Sequence, residues 1–460
     1  MKSEIPDKTS GATLEQTIFG EYPVRKAVAT MAVPTIISHI ITVIYNLADT
    51  WFIGLTGNSS AVAAISLCLP LYNIMNSCGN TFGVGGCSVI ARSLGTGQKK
   101  RAQTAFALAI RGAILIAVLF ALLLQLYTRP FLLSIGGDAS SIDYAVHYAR
   151  ITMVIGSIPT IMSVAFSHLI RSVGRSKVAG FGITLGAVLN LVLDPLLMFV
   201  LLPEGNEVLG AAIATFISNT VSMLYFIRYF LRNPIFPFSL RKDEDIKNTL
   251  FDVLRCGIPS FFLLTPGQIS NFFLNHMIAE MGASAAVAAM GIVRKIDSLA
   301  YAINQGITQG MLPIVAYCFS SQKYQRMKSV VVFSSICTLS FSLFCSISSY
   351  IFAPWLIRFF IADANTIYYG TRFMRIVCFG VSLYPVTFII ISLFQAIGQS
   401  VKPFILSILN KGSVDILLLF IIRSLFGLDY VLWASQISCT LALLVSIILQ
   451  FVYSDRFGMI

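Results

Sequence analysis

The sequence predicts an all-α integral membrane protein of twelve transmembrane helices arranged as two six-helix repeats. Composition, the spacing of apolar runs and internal similarity carry that prediction. Of 460 residues, 56% are hydrophobic and 11% charged, whereas a soluble chain has about 25% charged residues. Soluble globular classes are thereby excluded, and the lack of any long polar, low-complexity stretch excludes disorder. A span takes about 20 apolar residues, so the apolar content is enough for roughly a dozen.

Apolar runs fall at 28–53, 60–83, 102–127, 144–170, 177–202, 208–231, 249–279, 285–318, 329–353, 367–397, 402–426 and 430–453. They are too long and too continuously apolar for barrel strands, which alternate at period two, and so read as helices 1 to 12. Some 26 polar residues precede the first run, ending Glu21-Tyr22-Pro23-Val24-Arg25-Lys26. They contain no short apolar stretch with a small-residue cleavage site, so no removed signal peptide is expected.

The net charge of +12, from 32 Lys+Arg against 20 Asp+Glu, sits in short segments between the runs. That placement reports topology rather than a nucleic-acid partner. With the N-terminus inside, Lys2, Lys8, Arg25, Lys26, Arg92, Lys99, Lys100, Arg101, Arg171, Arg175, Lys177, Arg241, Lys242, Lys247, Lys323, Arg326, Lys328, Lys402 and Arg456 fall on the cytoplasmic side. The opposite loops hold little more than Arg129 and Arg358, so both termini are expected in the cytoplasm. The nine cysteines form no Cys-x-x-Cys pair and read as small buried hydrophobes.

The longest polar connection in the middle of the chain, with Pro234, Pro237 and the run Arg241-Lys242-Asp243-Glu244-Asp245, divides it. The expected organisation is an N-lobe over 1–232, a linker over 233–248 and a C-lobe over 249–460. Self-comparison agrees: Pro34 pairs with Pro259, Asn46 with Asn271, Gly57 with Gly282 and Gly85 with Gly310, all at an offset of 225. LIRSVGRS from Leu169 matches LFQAIGQS from Leu393 at 224, and LDPLLMF from Leu193 matches VDILLLF from Val414 at 221. Six helices per copy is an even number, so the copies face the same way about an axis along the membrane normal. Transporters built so bind substrate between the halves and expose it alternately to either side. No phosphate-loop motif occurs, so energy would come from an ion gradient.

An ionisable residue in mid-membrane costs at least about 2.5 kcal/mol and tends to be functional or paired. Asp49 lies near the outer end of helix 1, Asp194 in the outer half of helix 5 with Asn190 one turn earlier on the same face, and Thr215 shortly inside helix 6. All four fall at similar depth in the first repeat. Two carboxylates, an amide and a hydroxyl form a hard oxygen set suited to Na⁺, and two adjacent acids suit a proton. The competing reading is that Asp49 pairs locally near the interface and Asp194 starts a kink with Pro195. In the second half, position 49 maps to Leu274, and Asp415 is the counterpart of Asp194. The two-acid set therefore exists in one lobe. Pro34 removes a backbone hydrogen bond in helix 1, which fits either a bending point or a static kink, and Pro259 does the same in helix 7.

Arg294, Lys295 and Asp297 in helix 8 either line the cavity or pair within the protein. Arg111 and Lys411 sit too deep to snorkel easily and are expected to have structural partners. His39, His147, His168 and His276 are scattered, without partners visible in sequence. Glycines at Gly79–Gly83, Gly182–Gly186 and Gly306–Gly310 read as close-packing GxxxG positions. No metal or catalytic motif appears, so neither an enzyme nor a bound cofactor is expected.

The residues also carry a family likeness: PTIISHIITVIYNLADTWFIG in helix 1, AVAAI and GVGGCSVIARSLGTGQKKRA in and after helix 2, N-x-x-x-D-P in helix 5, GAAIAT opening helix 6, and QGITQGMLPIVAY in helix 8. Over essentially its whole length the chain resembles the multidrug and toxic compound extrusion (MATE) family, in the bacterial branch near the DinF-like members. The resemblance implies two six-helix lobes around a central cleft, in a bacterial plasma membrane. It also implies an antiporter that expels cationic amphipathic compounds in exchange for H⁺ or Na⁺. A monomer with no nucleic-acid partner is expected. By motif, the DinF-like cation site looks like Asp49, Asn190, Asp194 and Thr215, and the family's bending proline looks like Pro34. Another branch carries a helix 7 Glu about eight residues after the proline; here Gly267 and Gln268 stand there. A lipid-linked oligosaccharide flippase of the same superfamily is the alternative, kept open by Arg294 and Lys295. A facilitator-superfamily exporter would carry an Asp-Arg motif between helices 2 and 3, which ARSLGTGQKKRA lacks.

Overall fold

A computed structural model describes residues 13–134, 141–203, 205–233, 245–280, 284–361, 363–410 and 412–457. In lipid the backbone of a long apolar run has to satisfy its hydrogen bonds within itself, and each run is helical. The spans are α1 Val24–Leu55, α2 Ser59–Gly95, α3 Lys99–Ser134, α4 Ile142–Ala149 with Arg150–Ile155 and Ser157–Arg171, α5 Ser176–Leu196 with Leu197–Leu201, and α6 Glu207–Arg232. The second set is α7 Ile246–Ala279, α8 Ser284–Ser320, α9 Tyr324–Ile351, α10 Ala364–Ala396, α11 Val401–Leu409 with Ser413–Phe426, and α12 Trp433–Phe457. Most of the expected linker, residues 234–244, lies outside the described residues, as does Lys411.

Nine described helices are long and apolar enough to cross a membrane, and α4 taken across its bend makes ten. The remaining two spans, α7 and α8, are 34 and 37 residues long. Their polar residues set them apart: Gln268, Ser270 and Asn271 on α7, and Arg294, Lys295, Asp297, Asn304 and Gln305 on α8. Where the sequence suggests one straight helix over 144–170, α4 bends by 51°. Its middle turn is π-helical over Arg150–Ile155, and the turn closes on Gly156, whose N–H donates to the Ile151 carbonyl at 2.9 Å. A π-helical turn of this kind displaces the axis of the helix that follows.

Arg111 departs from expectation, being exposed on α3 with no ion pair among the described residues. The reason is length. At 1.5 Å per residue the 36-residue α3 spans about 54 Å against roughly 30 Å of hydrocarbon. Its first turns therefore overhang, and Arg111 comes close enough to the interface to snorkel.

Glycines set the helix crossings. Gly79 packs on Ile161 and Val164, Gly83 on Ala165 and His168, and Gly182 on Tyr225 and Phe226. Between lobes, a Cβ on Gly85 of α2 would strike the Val253 and Gly257 backbone of α7, and a Cβ on Gly310 of α8 would lie 2.7 Å from Ala32 Cα of α1. Gly85 maps to Gly310, and Gly257 to Ala32, at the same offset of 225. One crossing is thus built twice, as a parallel repeat requires.

Inter-lobe contacts concentrate on the side of the bundle where the described chain begins. There Ser88 Oγ donates to the Gln395 carbonyl at 2.7 Å, Arg101 pairs with Asp252, and Phe19 and Tyr22 present carbonyls to Arg326, each at 2.6 Å. A core containing Met31, Val84, Met311, Val315 and Ile390 is shared by both lobes. On the far side Leu274, Met290, Phe373 and Leu419 belong to a core drawn from the second lobe alone. The outermost inter-lobe hydrogen bonds among the described residues are Asn73 to Gln268 at 3.0 Å and His39 to Gln309 at 3.1 Å. Beyond them the lobes bound a cleft open to the far side.

Candidate functional site

Helices α1 and α5 run parallel and touch at glycine: a Cβ on Gly180 would lie 2.6 Å from the Pro34 carbonyl oxygen. Below that contact Ser176 Oγ donates to the Met31 carbonyl at 2.5 Å. Fifteen residues past Pro34 is Asp49, and fourteen past Gly180 is Asp194. Equal rise per residue therefore brings the two acids to one level on neighbouring helices. Helix α6 runs the other way, with Gly186 packed on Ser218 and Ser222, and with Ser222 Oγ donating to the Gly182 carbonyl at 2.9 Å. One turn further along that antiparallel register, Asn190 comes level with Thr215.

Asp194 is fully buried, Asn190 is 3% exposed and Thr215 is 8% exposed. Asn190 Nδ2 donates to Asp194 Oδ1 at 3.0 Å. Four buried oxygens here find no partner among the described residues: Asp49 Oδ1, Asp194 Oδ2, Asn190 Oδ1 and Ser218 Oγ. Stranding one buried polar atom costs about 1–3 kcal/mol, more when it is charged. Four around two acids form a pocket short of positive charge, which a proton shared by the acids or a small hard cation would satisfy. Just beyond Asp194, Pro195 lacks the N–H that the helix would use, and α5 becomes π-helical at Leu197–Leu201. The kink and the acid pocket therefore coexist rather than compete as explanations of Asp194.

Sequence reading missed the phenols around the acids. Asp49 lies within electrostatic reach of Asp194, Tyr45, Tyr72 and Tyr148. Tyr72 accepts from Asn219 Nδ2 at 3.2 Å and pairs with Tyr45. Tyrosines scattered through apolar runs carry no spacing signal, because helices α1, α2 and α4 converge only in the fold.

Pro34 sits in an unbroken α1, its carbonyl against Gly180, while Ala32 and Ile36 two residues to either side pack on Gly310 and Gly306 of α8. Its neighbour Thr35 accepts from Arg171 Nε at 3.2 Å. In the second lobe Ser260, which follows Pro259, pairs at 2.8 Å with Gln395 Nε2. Position 35 maps to 260 and 171 to 395, so each proline is followed by a hydroxyl tethered to the end of α4 or α10.

The remaining candidates divide. Gln268 bonds Asn73 across the lobes. Arg294 donates to the Asn271 carbonyl at 3.3 Å and lies beside Asp297, within the second lobe. Lys295 has no such partner among the described residues. Asp415, the counterpart of Asp194, is 2% exposed and accepts from Ser270 at 2.5 Å and from Ser435 at 3.0 Å. Its hydroxyl donors leave it satisfied where Asp194 is not. His168 bonds Asn80 at 2.9 Å, and His276 lies 3.5 Å from Glu280 on an exposed face.

The MatE family model matches residues 34–196 and again 259–421, two copies displaced by the 225 residues that relate the crossings. The chain belongs to the MatE family. Both MatE matches start at the helix prolines, Pro34 and Pro259. Among curated relatives of this MatE chain, the multidrug export protein MepA of Staphylococcus saprophyticus is 28% identical over 439 residues, covering 95% of this chain and 96% of its own. MepA of Staphylococcus aureus strain MSSA476 is 28% identical over 441 residues, with the same coverage. The fold matches a crystal structure of MATE in complex with MaL6 at a TM-score of 0.89 and 22% identity, over 98% of this chain and 100% of that one. It matches an outward-facing multidrug resistance MATE family transporter at 0.88 and 22%, over 98% and 99%. At those identities the structures speak for the fold: twelve helices in two lobes around a cleft.

Proposed function

We propose that the chain is a secondary active multidrug efflux antiporter, exporting cationic amphipathic compounds in exchange for H⁺ or Na⁺ by alternating access. The carrying observation is the buried acid pocket of Asp49, Asn190, Asp194 and Thr215, with its unpartnered oxygens. Relatives named for multidrug export support the same reading and do not favour a lipid-linked oligosaccharide flippase.

With both termini in the cytoplasm of a bacterial plasma membrane, the cleft faces outward. The lobes are taken as residues 1–232 and 249–460, joined by a linker over 233–248, in a monomer that needs no cofactor. A coupling ion enters from outside and neutralises the acids; α1, hinged at Pro34, then changes its fit against α5 and α8, and the cleft releases its drug. One charge moving down 100 mV supplies about 2.3 kcal/mol. A differential affinity of that size shifts two states roughly fiftyfold, enough to drive the exchange. Gln268, bonded to Asn73, and Asp415, bonded to Ser270 and Ser435, take no part in holding the ion.

The test is ion displacement on the purified protein. Adding ethidium at graded Na⁺ and pH is expected to release H⁺ or compete with Na⁺, and Asp49→Asn or Asp194→Asn to abolish the linkage. Ethidium binding that is independent of both ions in the wild type would refute the proposal.

A further inference from the structure

One face of α8 changes character along its length. Its inner part, Gly306 and Gly310, is covered by α1, with Gly306 against Ile36 and Gly310 against Ala32. Outward on the same stripe lie Leu299, Lys295, Gly291 and Ala288. Leu299, Gly291 and Ala288 are exposed, Lys295 is half-buried, and a Cβ on Gly291 would meet nothing within 4 Å. Eleven residues separate Lys295 from Gly306, about three turns, so the two share a face to within roughly 20°. The stripe covered by α1 on the near side thus lines the open cleft on the far side.

Lys295 lies eleven residues into α8, about 16 Å from its start, on the stripe that faces the cleft rather than on a lipid-facing side of the helix. Among the described residues no hydrogen bond or ion pair holds its ammonium, whereas Arg294 beside it is tied to Asn271 and Asp297. An unpaired ammonium on a stripe whose neighbours Leu299, Gly291 and Ala288 are exposed is placed to meet the water of the cleft. Meanwhile Asp49 lies about 140° around α1 from Ile36, facing the interior of the first lobe. The acids are therefore withdrawn from the cleft, and the charge the second lobe offers to a ligand there is positive.

We infer that Lys295 makes the cleft a binding site for amphiphiles carrying one anionic group, with carboxylate the chemistry it reads. The inference rests on the efflux reading and deepens it: the ligand's apolar body lies along Leu299 and the opposing α1 face of Val43 and Leu47, while its acid meets the ammonium. Zwitterionic compounds fall within the substrate range, and a cation without an acid gains nothing from Lys295.

Rhodamine B and its ethyl ester share one aromatic cation and differ by a free carboxylate. Binding of each to the full-length protein is measured by fluorescence anisotropy in nanodiscs of zwitterionic lipid, so that the bilayer carries no net charge that would itself attract one probe over the other. The wild type is expected to favour rhodamine B. Lys295→Gln should change the acid-to-ester ratio of dissociation constants by roughly tenfold or more, the weight of a charge-assisted bond, and Lys295→Arg should restore it. An unchanged ratio in Lys295→Gln, with the ester still bound, overturns the inference and leaves the efflux reading standing. Failure of the wild type to bind either probe overturns both.

Discussion

Replacing Gly310 by Ala places a methyl carbon 2.7 Å from Ala32 Cα, 2.8 Å from Ala32 N and 2.9 Å from Met31 C. All three are backbone atoms, so no rotamer change relieves the clash. Reaching an ordinary separation of about 3.5–4.0 Å requires α1 and α8 to part by about 1 Å. Overpacking of this kind costs about 1–3 kcal/mol. The cost falls on the conformation in which the lobes are closed on the near side, and is relieved in any state where these helices separate. The equilibrium should therefore shift roughly 5- to 150-fold toward near-side opening. Seven of the nine cysteines are buried and two half-buried, Cys337 and Cys345. With those two changed to Ser, spin labels at Gln98, beyond α2, and Gln325, opening α9, report the near-side lobe separation. Gly310→Ala should add a longer-distance population. Gly54→Ala, where a Cβ meets nothing within 4 Å, should not. An unchanged distance distribution in Gly310→Ala would refute the idea that this glycine crossing holds the cleft shut on one side.

Three further outcomes follow from buried polar groups. Asp194→Asn should raise the thermal midpoint in ion-free buffer by a few degrees, since it removes a buried charge with an unpartnered oxygen while the Asn190 bond survives; a lower midpoint would argue that the carboxylate is already satisfied. Arg171→Leu removes the two hydrogen bonds that tether the end of α4 to Thr35 and to Ser167 and should cost about 1–3 kcal/mol, read as a lower midpoint in detergent, whereas Arg171→Gln, which copies the second lobe's Gln395, should retain most of it. Asp415→Leu strands Ser270 and Ser435 and should destabilise by a similar amount, while Asp415→Asn keeps an acceptor and loses less; equal midpoints for the two would count against the hydroxyl bonds.

Much of this was legible in the sequence because membrane helices leave long, unambiguous hydropathic signals and because the duplication repeats its own motifs. The acids could be placed at one depth by counting rise along α1 and α5, and the glycine pairs at 79, 182 and 306 pack as their spacing implies. What stayed hidden depends on neighbours distant in sequence. The tyrosines around Asp49 come from three helices, the Thr35–Arg171 tether spans 136 positions, and the bend of α4 at Gly156 follows from a π-helical turn that no hydropathy pattern encodes. Arg111 misled because span length, rather than depth within an apolar run, decides whether a charge reaches the interface. Lys295 looked like Arg294 and Asp297 in sequence, and separates from them only through helix phase and the absence of a partner among the described residues.

Coupling of export to an ion gradient by the first-lobe acids is read out by ethidium efflux from vesicles with a Na⁺ gradient and a pH gradient imposed separately. Export driven by at least one gradient is expected in the wild type and is expected to be lost in both Asp49→Asn and Asp194→Asn. Gradient-driven export at the wild-type rate in both variants would contradict it.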